Sequence, residues 1–423
     1  MKHYLFFTIV FFHCICLKAQ TDNRYEALIA EASLFHLQKD YKNAITVFEK
    51  AFLLQQPDAL NAYKTAGVYA LDENKNEAFL YLNLALDKGW TENDNLLIDP
   101  YFDFLRNNFK NEWTLIVEKA KNKEMQYEKT LKFPALRKEI NLMTINDQKL
   151  RFKKSQTNNA AQLDSINQEI NNSDYKNLIR AKEIIKKYSW PKISEIGKDG
   201  ENNFWLIIQH GDQDILFQRL ALTEMKKLLA TTEIDKENYA FLYDRVQCNL
   251  NYKQLYGTQV NWTENGKASG FRPILKEDLV DKRRSNLGLL PLKIYALNYG
   301  FQYSNIASEQ ASKNDRKDIE DASKLITEAQ DFYKAKEFQK VYDNYNNASM
   351  ILGGMSSLQN YDAALLFANI YNQNKEEQYR SIALDFLTLL FYRGDLSKKE
   401  LLNQNEFKSF YSEKRWIEIF ENI

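Results

Sequence analysis

The chain has 423 residues, with 57 basic and 57 acidic side chains, a formal net charge of zero, 44% hydrophobic residues and 27% charged residues. Those proportions belong to a soluble globular protein of about two to four domains, and without a basic surplus a nucleic-acid partner loses its main driving force. Only six prolines and 13 glycines interrupt the chain, so few breakers stand in the way of a mainly helical fold.

The N-terminus reads Met1-Lys2-His3, an apolar run from Tyr4 to Leu17, then Lys18-Ala19-Gln20. A positive start, a short apolar core and a small residue at the end describe a secretory signal peptide over 1–19, cleaved after Ala19. The run falls short of the roughly 20 residues a spanning helix needs, so no membrane span is expected after cleavage. The expected location is periplasmic or extracellular. Cys14 and Cys16 lack the small preceding residue of a lipid-attachment site. Cleavage leaves Cys248 alone, which excludes an intramolecular disulfide, and its neighbour Val246 places it in a helical core stretch.

Internal periodicity comes next. Ala32, Phe35, Ala44, Phe48 and Ala51 recur as Ala66, Tyr69, Ala78, Leu82 and Ala85, an offset of 34 positions, as from 44 to 78. Small residues at the closest approach of paired helices, with larger ones filling the groove between them, resemble the tetratricopeptide repeat. The pattern predicts helices over about 24–38 and 41–54, with Pro57 beyond the second. The C-terminal segment repeats the spacing through Ala329, Phe332, Val341, Tyr345 and Ala348. A degenerate unit follows with Ala368, Tyr371, Ala383 and Leu387. Gly89, Leu96, Leu97, Phe102 and Trp113 have counterparts in Gly394, Leu401, Leu402, Phe407 and Trp416. Two related helical modules, 22–125 with a capping helix and 304–423, are expected to flank an unrelated region at 126–303. Repeats of this kind present a surface to a protein or peptide partner, or serve only as structural brackets.

In the central region a helix is predicted from Leu136 through Asp147 to Arg151. The polar stretch from Lys153 to Asn172 reads as either a long solvated helix or a loop. Further helices are predicted over 175–188, over 215–229 with Phe217, Leu220, Ala221 and Leu228 on one face, and after Asp235, a good N-cap. Gly197 and Gly200 mark a turn, and Phe204 to Gln209 is an apolar run. From Leu255 to Val260 and from Gly270 to Ile274 the chain turns β-like, and Asn265-Gly266 between them signals a hairpin.

Asp147-Gln148…Arg151, Trp190-Pro191…Gly197, Gln209-His210-Gly211-Asp212, Tyr243-Asp244-Arg245-Val246, Gln254-Leu255-Tyr256-Gly257-Thr258-Gln259 and Gly288-Leu289-Leu290-Pro291-Leu292 stand in that order. Together they resemble a bacterial family known only as a domain of unknown function, over about 131–301. The resemblance implies no activity.

The candidate site lies among these motifs. His210 is suited to proton transfer near neutral pH, oriented by Asp212 or Asp244, with Arg245 as an anion receptor. The structural alternative makes His210 a helix end, with Asp212 or Asp214 capping the next helix. Gln209, Gln254, Tyr256, Thr258 and Gln259 are the expected ligand contacts. Strand alternation would put Gln254, Tyr256 and Thr258 on one face. No spaced histidine pair, phosphate loop, nucleophile elbow or C-x-x-C pair appears, so no metal and no cofactor is expected. Three readings remain: a protein-binding scaffold carrying a ligand-binding domain, a hydrolase-like enzyme using His210 with Asp212 or Asp244, or a non-catalytic ligand-binding domain.

Overall fold

The computed structural model describes residues 23–423, so the expected signal peptide lies outside the described residues. The architecture is mainly α, with one two-stranded antiparallel sheet. No described helix is long and apolar enough to cross a membrane.

The N-terminal block holds α1 (23–37), α2 (Tyr41–Leu54), α3 (Ala59–Leu71), α4 (Lys75–Asp87), α5 (Asn93–Ile98), α6 (Asp103–Asn108) and α7 (Lys110–Glu128). Side chains of Asp40, Asp58 and Asn74 each accept a backbone N–H at the start of α2, α3 and α4, supplying partners the first helical turn lacks. The six alanines at 32, 44, 51, 66, 78 and 85 are fully buried, as close helix packing requires. The turns match as well. The seventh residue after each small position, 32 to 39, 66 to 73, 329 to 336 and 368 to 375, is left-handed: Lys39, Glu73, Lys336 and Lys375. In three of these turns the next amide donates back to the aromatic residue's carbonyl, Asp40 to Phe35, Asn74 to Tyr69 and Glu337 to Phe332, each at 2.9 Å. This closes the helix end in a Schellman-type pattern.

The central region contains α8 (Pro134–Ser155), α9 (Ala160–Tyr188), α10 (Ile193–Gln209), α11 (Ile215–Lys226), α12 (Lys236–Asn249), β1 (Val260–Trp262), β2 (Ala268–Phe271), α13 (Val280–Asn286) and α14 (Leu292–Tyr295). Most of the polar stretch 153–172 is helical. Asn159 caps it by accepting from Gln162 N at 3.1 Å, and Ile166 and Ile170 give it a buried edge. The turn expected at Gly197 and Gly200 is a kink inside α10, since only Gly197 departs from helical geometry. α11 ends three residues early, at Lys226, and Leu220 points outward while Phe217 and Ala221 are buried. The core joins Ile140, Ile184, Ile196, Phe204, Ala221, Leu242 and Val246. Inside it Trp190 Nε1 donates to the fully buried Glu201 at 3.0 Å, and burial pushes that carboxyl up to about 8.

The C-terminal block follows with α15 (Ser308–Lys334), α16 (Phe338–Ser349), α17 (Ser357–Asn374), α18 (Glu377–Arg393), α19 (Lys398–Leu402) and α20 (Lys414–Glu421). Its core includes Leu401, Phe407 and Trp416, just as Leu96, Phe102 and Trp113 are buried in the first block.

Buried charge rivets these blocks together. Arg137 of α8 is fully buried, with Nη1 on Glu124 at 3.0 Å and Glu128 at 3.3 Å of α7, and Nη2 on Asp199 of α10 at 2.7 Å. Nη2 also donates to the Thr91 carbonyl at 3.0 Å. On the other side Lys253 pairs with Asp315 at 2.7 Å and Asp318 at 2.6 Å of α15. Removing one partner of such a cluster leaves charge stranded away from water. Arg137→Ala is expected to cost about 3–5 kcal/mol in denaturant unfolding and to raise amide exchange in α7 first. A loss under about 1 kcal/mol, within the range of an exposed pair, contradicts the rivet.

Candidate functional site

The chain reaches His210 at the end of α10, and Asp214 opens α11 by accepting from Phe217 N at 3.0 Å. His210 is therefore a helix end, as the structural alternative had it. The turn between them is tight. A Cβ on Gly211 would meet Leu178 Cδ1 of α9 at 2.9 Å, so the Leu178 side chain would have to shift to admit one. Close approach brings His210 beside Asp174, which lies one turn before Leu178 on the same helix.

The partner of His210 is neither Asp212 nor Asp244. Its Nδ1 lies 3.2 Å from Asp147 Oδ2 of α8. The nitrogen is enclosed and off the line of a directed hydrogen bond, and the contact is an ion pair only for the imidazolium, with both ring nitrogens protonated. Arg151, one turn along α8, holds the same carboxylate through Nε at 3.0 and 3.1 Å and reaches Asp174 through Nη2 at 2.8 and 3.0 Å. Gln148 Nε2 donates to Asp147 Oδ2 at 2.8 Å. Burial alone would push the Asp147 carboxyl up. His210 and the Arg151 guanidinium overcome that and hold it well below the ordinary carboxylate range. Burial raises Asp174 despite the attraction of Arg151.

Asp147, Asp174 and His210 each offer a ligand atom, and these atoms lie within 4.8 Å of one another. The Arg151 guanidinium already pairs with both carboxylates, at 3.0 Å to Asp147 and 2.8 Å to Asp174. The arrangement is thus an ion-pair network, and a metal would have to displace Arg151. His210 Nε2 meets no hydrogen-bonding group among the described residues. The network lies beside a cavity of about 420 Å³ between the first block and α8, lined among others by Tyr63, Ile98, Tyr101, Gln148, Lys149 and Phe152. Gln148 belongs to both.

The other expected site residues do different work. Asp212 is held by Arg245, whose Nε donates to Oδ1 at 2.8 Å and whose Nη2 pairs with Oδ2, and by Asn249 at 3.2 Å. Arg245 is thus occupied by a neighbouring acid. Asp244 is fully buried and takes donors from the amides of Leu255 at 2.7 Å, Tyr256 at 3.1 Å and Thr258 at 3.0 Å, and from the Thr258 hydroxyl at 3.0 Å. Burial pushes its carboxyl up while these four donors oppose the shift. It organises a loop and has no free face.

That loop replaces the expected strand. β1 begins only at Val260, because the amides a ladder would use are turned toward Asp244. Alternation of Gln254, Tyr256 and Thr258 therefore fails. Gln254 brackets the loop instead, its side chain donating to the carbonyls of Gln259 at 2.9 Å and Arg272 at 2.6 Å and accepting from Gln259 N at 2.8 Å. Gln259 bonds Thr258 Oγ1 at 3.1 Å, and the Tyr256 ring packs against Tyr239 and Tyr243. Gly257 has φ +72°, and any Cβ there would strike Leu292 at 2.8 Å. Buried Arg284 ties the loop down through the Tyr256 carbonyl at 2.7 Å. Gln209 contributes its backbone carbonyl to Gln218 Nε2 at 3.4 Å. Cys248 is buried with its thiol pushed up to about 11, the reverse of a nucleophile.

Asp147, Gln148, Arg151 and Asp174 were outside the expected site. The first three stood in one motif, with an i,i+4 charge pair as a visible signal. Nothing in the sequence marks Asp174, whose role exists only because α9 crosses α8.

Residues 134–304 match the model of a family of unknown function (DUF6624), under half of the chain. No curated protein and no solved structure matches the chain.

A carboxyl held low in the folded state adds stability at neutral pH, and that stability is lost as pH falls through the folded value. Asp147→Asn is expected to cost about 3 kcal/mol at pH 7 and to flatten the acid limb of stability against pH. An unchanged acid limb in chemical denaturation contradicts the charge network.

Proposed function

We propose that this protein is an exported helical scaffold whose central region binds a small polar ligand. Its flanking blocks, built from tetratricopeptide-like helix pairs, bind a protein or peptide partner. One observation carries the ligand-binding reading: Gln148 lines the cavity of about 420 Å³ and also donates to Asp147 in the His210 network. That volume lies in the range of small-molecule sites, which favour seams between packed units. Phe152, Tyr101 and Ile98 supply an apolar wall, and Gln148 and Lys149 supply polar contacts. The partner-binding reading draws support from the paired helices of the first block, whose fully buried alanines recur at an offset of 34 positions, as in repeats that present a binding surface.

A hydrolase-like activity is favoured by a separate observation, the free Nε2 of His210 with Nδ1 turned to a buried carboxylate. This sets an acid beside a candidate general base, with the directed Nδ1 hydrogen bond that would fix the ring still to be made. No serine or cysteine bonds His210 among the described residues, so water would be the nucleophile. Asp147 takes the orienting role expected of Asp212 or Asp244.

The test is a thermal-shift screen of the full mature chain against cell-envelope fragments, repeated with Phe152→Ala and His210→Ala after circular dichroism shows both variants folded. Ligands of this site should lose their shift in both, with affinity down about tenfold or more. Hits whose shifts survive both substitutions place binding elsewhere and end this reading.

A further inference from the structure

The cavity beside the His210 network is lined by two charges of opposite sign, and neither has an ion-pair partner among the described residues. Its α8 wall is the stripe Ile145, Gln148, Lys149 and Phe152, the i, i+3, i+4, i+7 positions of one helix face. Lys149 supplies the positive charge, an exposed ammonium. The negative charge comes from the first block, where Asp99 joins α5 to the short turn Pro100–Phe102. Its carboxylate accepts from the Tyr63 hydroxyl at 2.8 Å and from the Tyr101 amide at 3.0 Å, one bond on each oxygen. A carboxylate has about four acceptor positions, so about two stay open. Arg106 attracts it, but the Nη atoms of Arg106 are spent on Asp103 at 2.8 Å and on the Asp99 backbone carbonyl at 2.9 Å. Burial outweighs these attractions and pushes the Asp99 carboxyl up. A cation arriving at the carboxylate would relieve that.

The rest of the lining is apolar and held in place. Tyr101 meets the His36 ring edge-on at 4.8 Å, and Tyr63 stacks on Trp90 at 4.1 Å. Ile98, Tyr101 and Phe152 are nonetheless exposed, three large apolar side chains from two walls of one cavity. Covering them favours a ligand with an apolar group of its own. Asn95 and Gln148 each spend the amide nitrogen on an acid, Glu92 at 2.6 Å and Asp147 at 2.8 Å, which leaves each amide oxygen as an acceptor.

A ligand that fills this space expels water from both charges. If it carries only one charge, the other is left desolvated and unpaired, which is costly. We infer that the cavity takes a zwitterion with an apolar side chain, a free amino acid or a dipeptide, its ammonium on Asp99 and the Asn95 amide oxygen and its carboxylate on Lys149. An ammonium has three donors and no acceptor, so it suits the acceptors of the first-block wall, and Lys149 supplies donors on the other wall. The apolar side chain of the ligand lies against Phe152 and Tyr101. This assignment rests on the ligand-binding reading of the same cavity and names its class of ligand.

The experiment is calorimetric titration of a chain of residues 20–423 with L-phenylalanine and with alanyl-phenylalanine, each compared with its N-acetyl and its C-terminal amide form. At least one of the two zwitterions should bind saturably, and both of its capped forms about tenfold or more weakly. Lys149→Met should abolish the preference for the free carboxylate and keep that for the free ammonium. Asp99→Asn should do the reverse. Lys149 lies on an exposed helix surface, so its variant decides the matter if the Asp99 variant fails to fold. Absence of saturable binding by either zwitterion overturns the inference. So does equal binding of the capped forms, or a preference for the free carboxylate that Lys149→Met leaves unchanged. A ligand of one charge or none, whose binding falls with Phe152→Ala, would overturn it as well while leaving the cavity a ligand site.

Discussion

The buried carboxylate of Asp147 is the constraint around which the central region is arranged. A carboxylate at that depth persists only if charge and donors surround it. Arg151 comes from its own helix, Gln148 from the next residue, and His210 from the end of α10. Arg151 then engages Asp174, so one acid fixes the mutual placement of α8, α9 and α10. The tight turn at Gly211 is the geometric condition for this, since it lets the end of α10 press against Leu178 of α9.

Asp244 faces the same problem and solves it differently. Its oxygens are filled by three backbone amides and one hydroxyl, all from the loop 255–258. Nothing is left to meet a ligand. Asp147 is compensated by side chains that themselves reach the surface. The Arg151 side chain keeps 31% exposure, and His210 Nε2 has no hydrogen-bond partner among the described residues. The difference separates a carboxylate that shapes backbone from one that can act through its neighbours. It also explains why motifs equally prominent in the sequence have unequal standing in the site.

Helices were legible because apolar residues recur at helical spacing and small residues recur every 34 positions, and both patterns are local. The hairpin was legible from Asn265-Gly266, where Gly266 takes φ +70°. The strand expected from Leu255 was not, because its amides answer to a carboxylate eleven residues earlier in the chain, at 244. His210 was legible as a candidate from its residue type. Its partner was not, since Asp147 lies 63 residues away, from 147 to 210, and only the packing of α8 against α10 joins them. Asp212 and Asp244 were nearer in sequence, and nearness misled. Arg245 pairs with Asp212 and Asp244 pairs with the loop, so both acids near His210 are occupied.

The central claim is that the His210 network and the cavity beside α8 form one binding site. Its most direct test follows the His210 ring resonances by NMR in a chain of residues 20–423 as a ligand of the cavity is titrated. The account predicts that the His210 signals and those of Phe152 move together along one saturation curve. A ligand that saturates the Phe152 shift while leaving the His210 ring unmoved would contradict it.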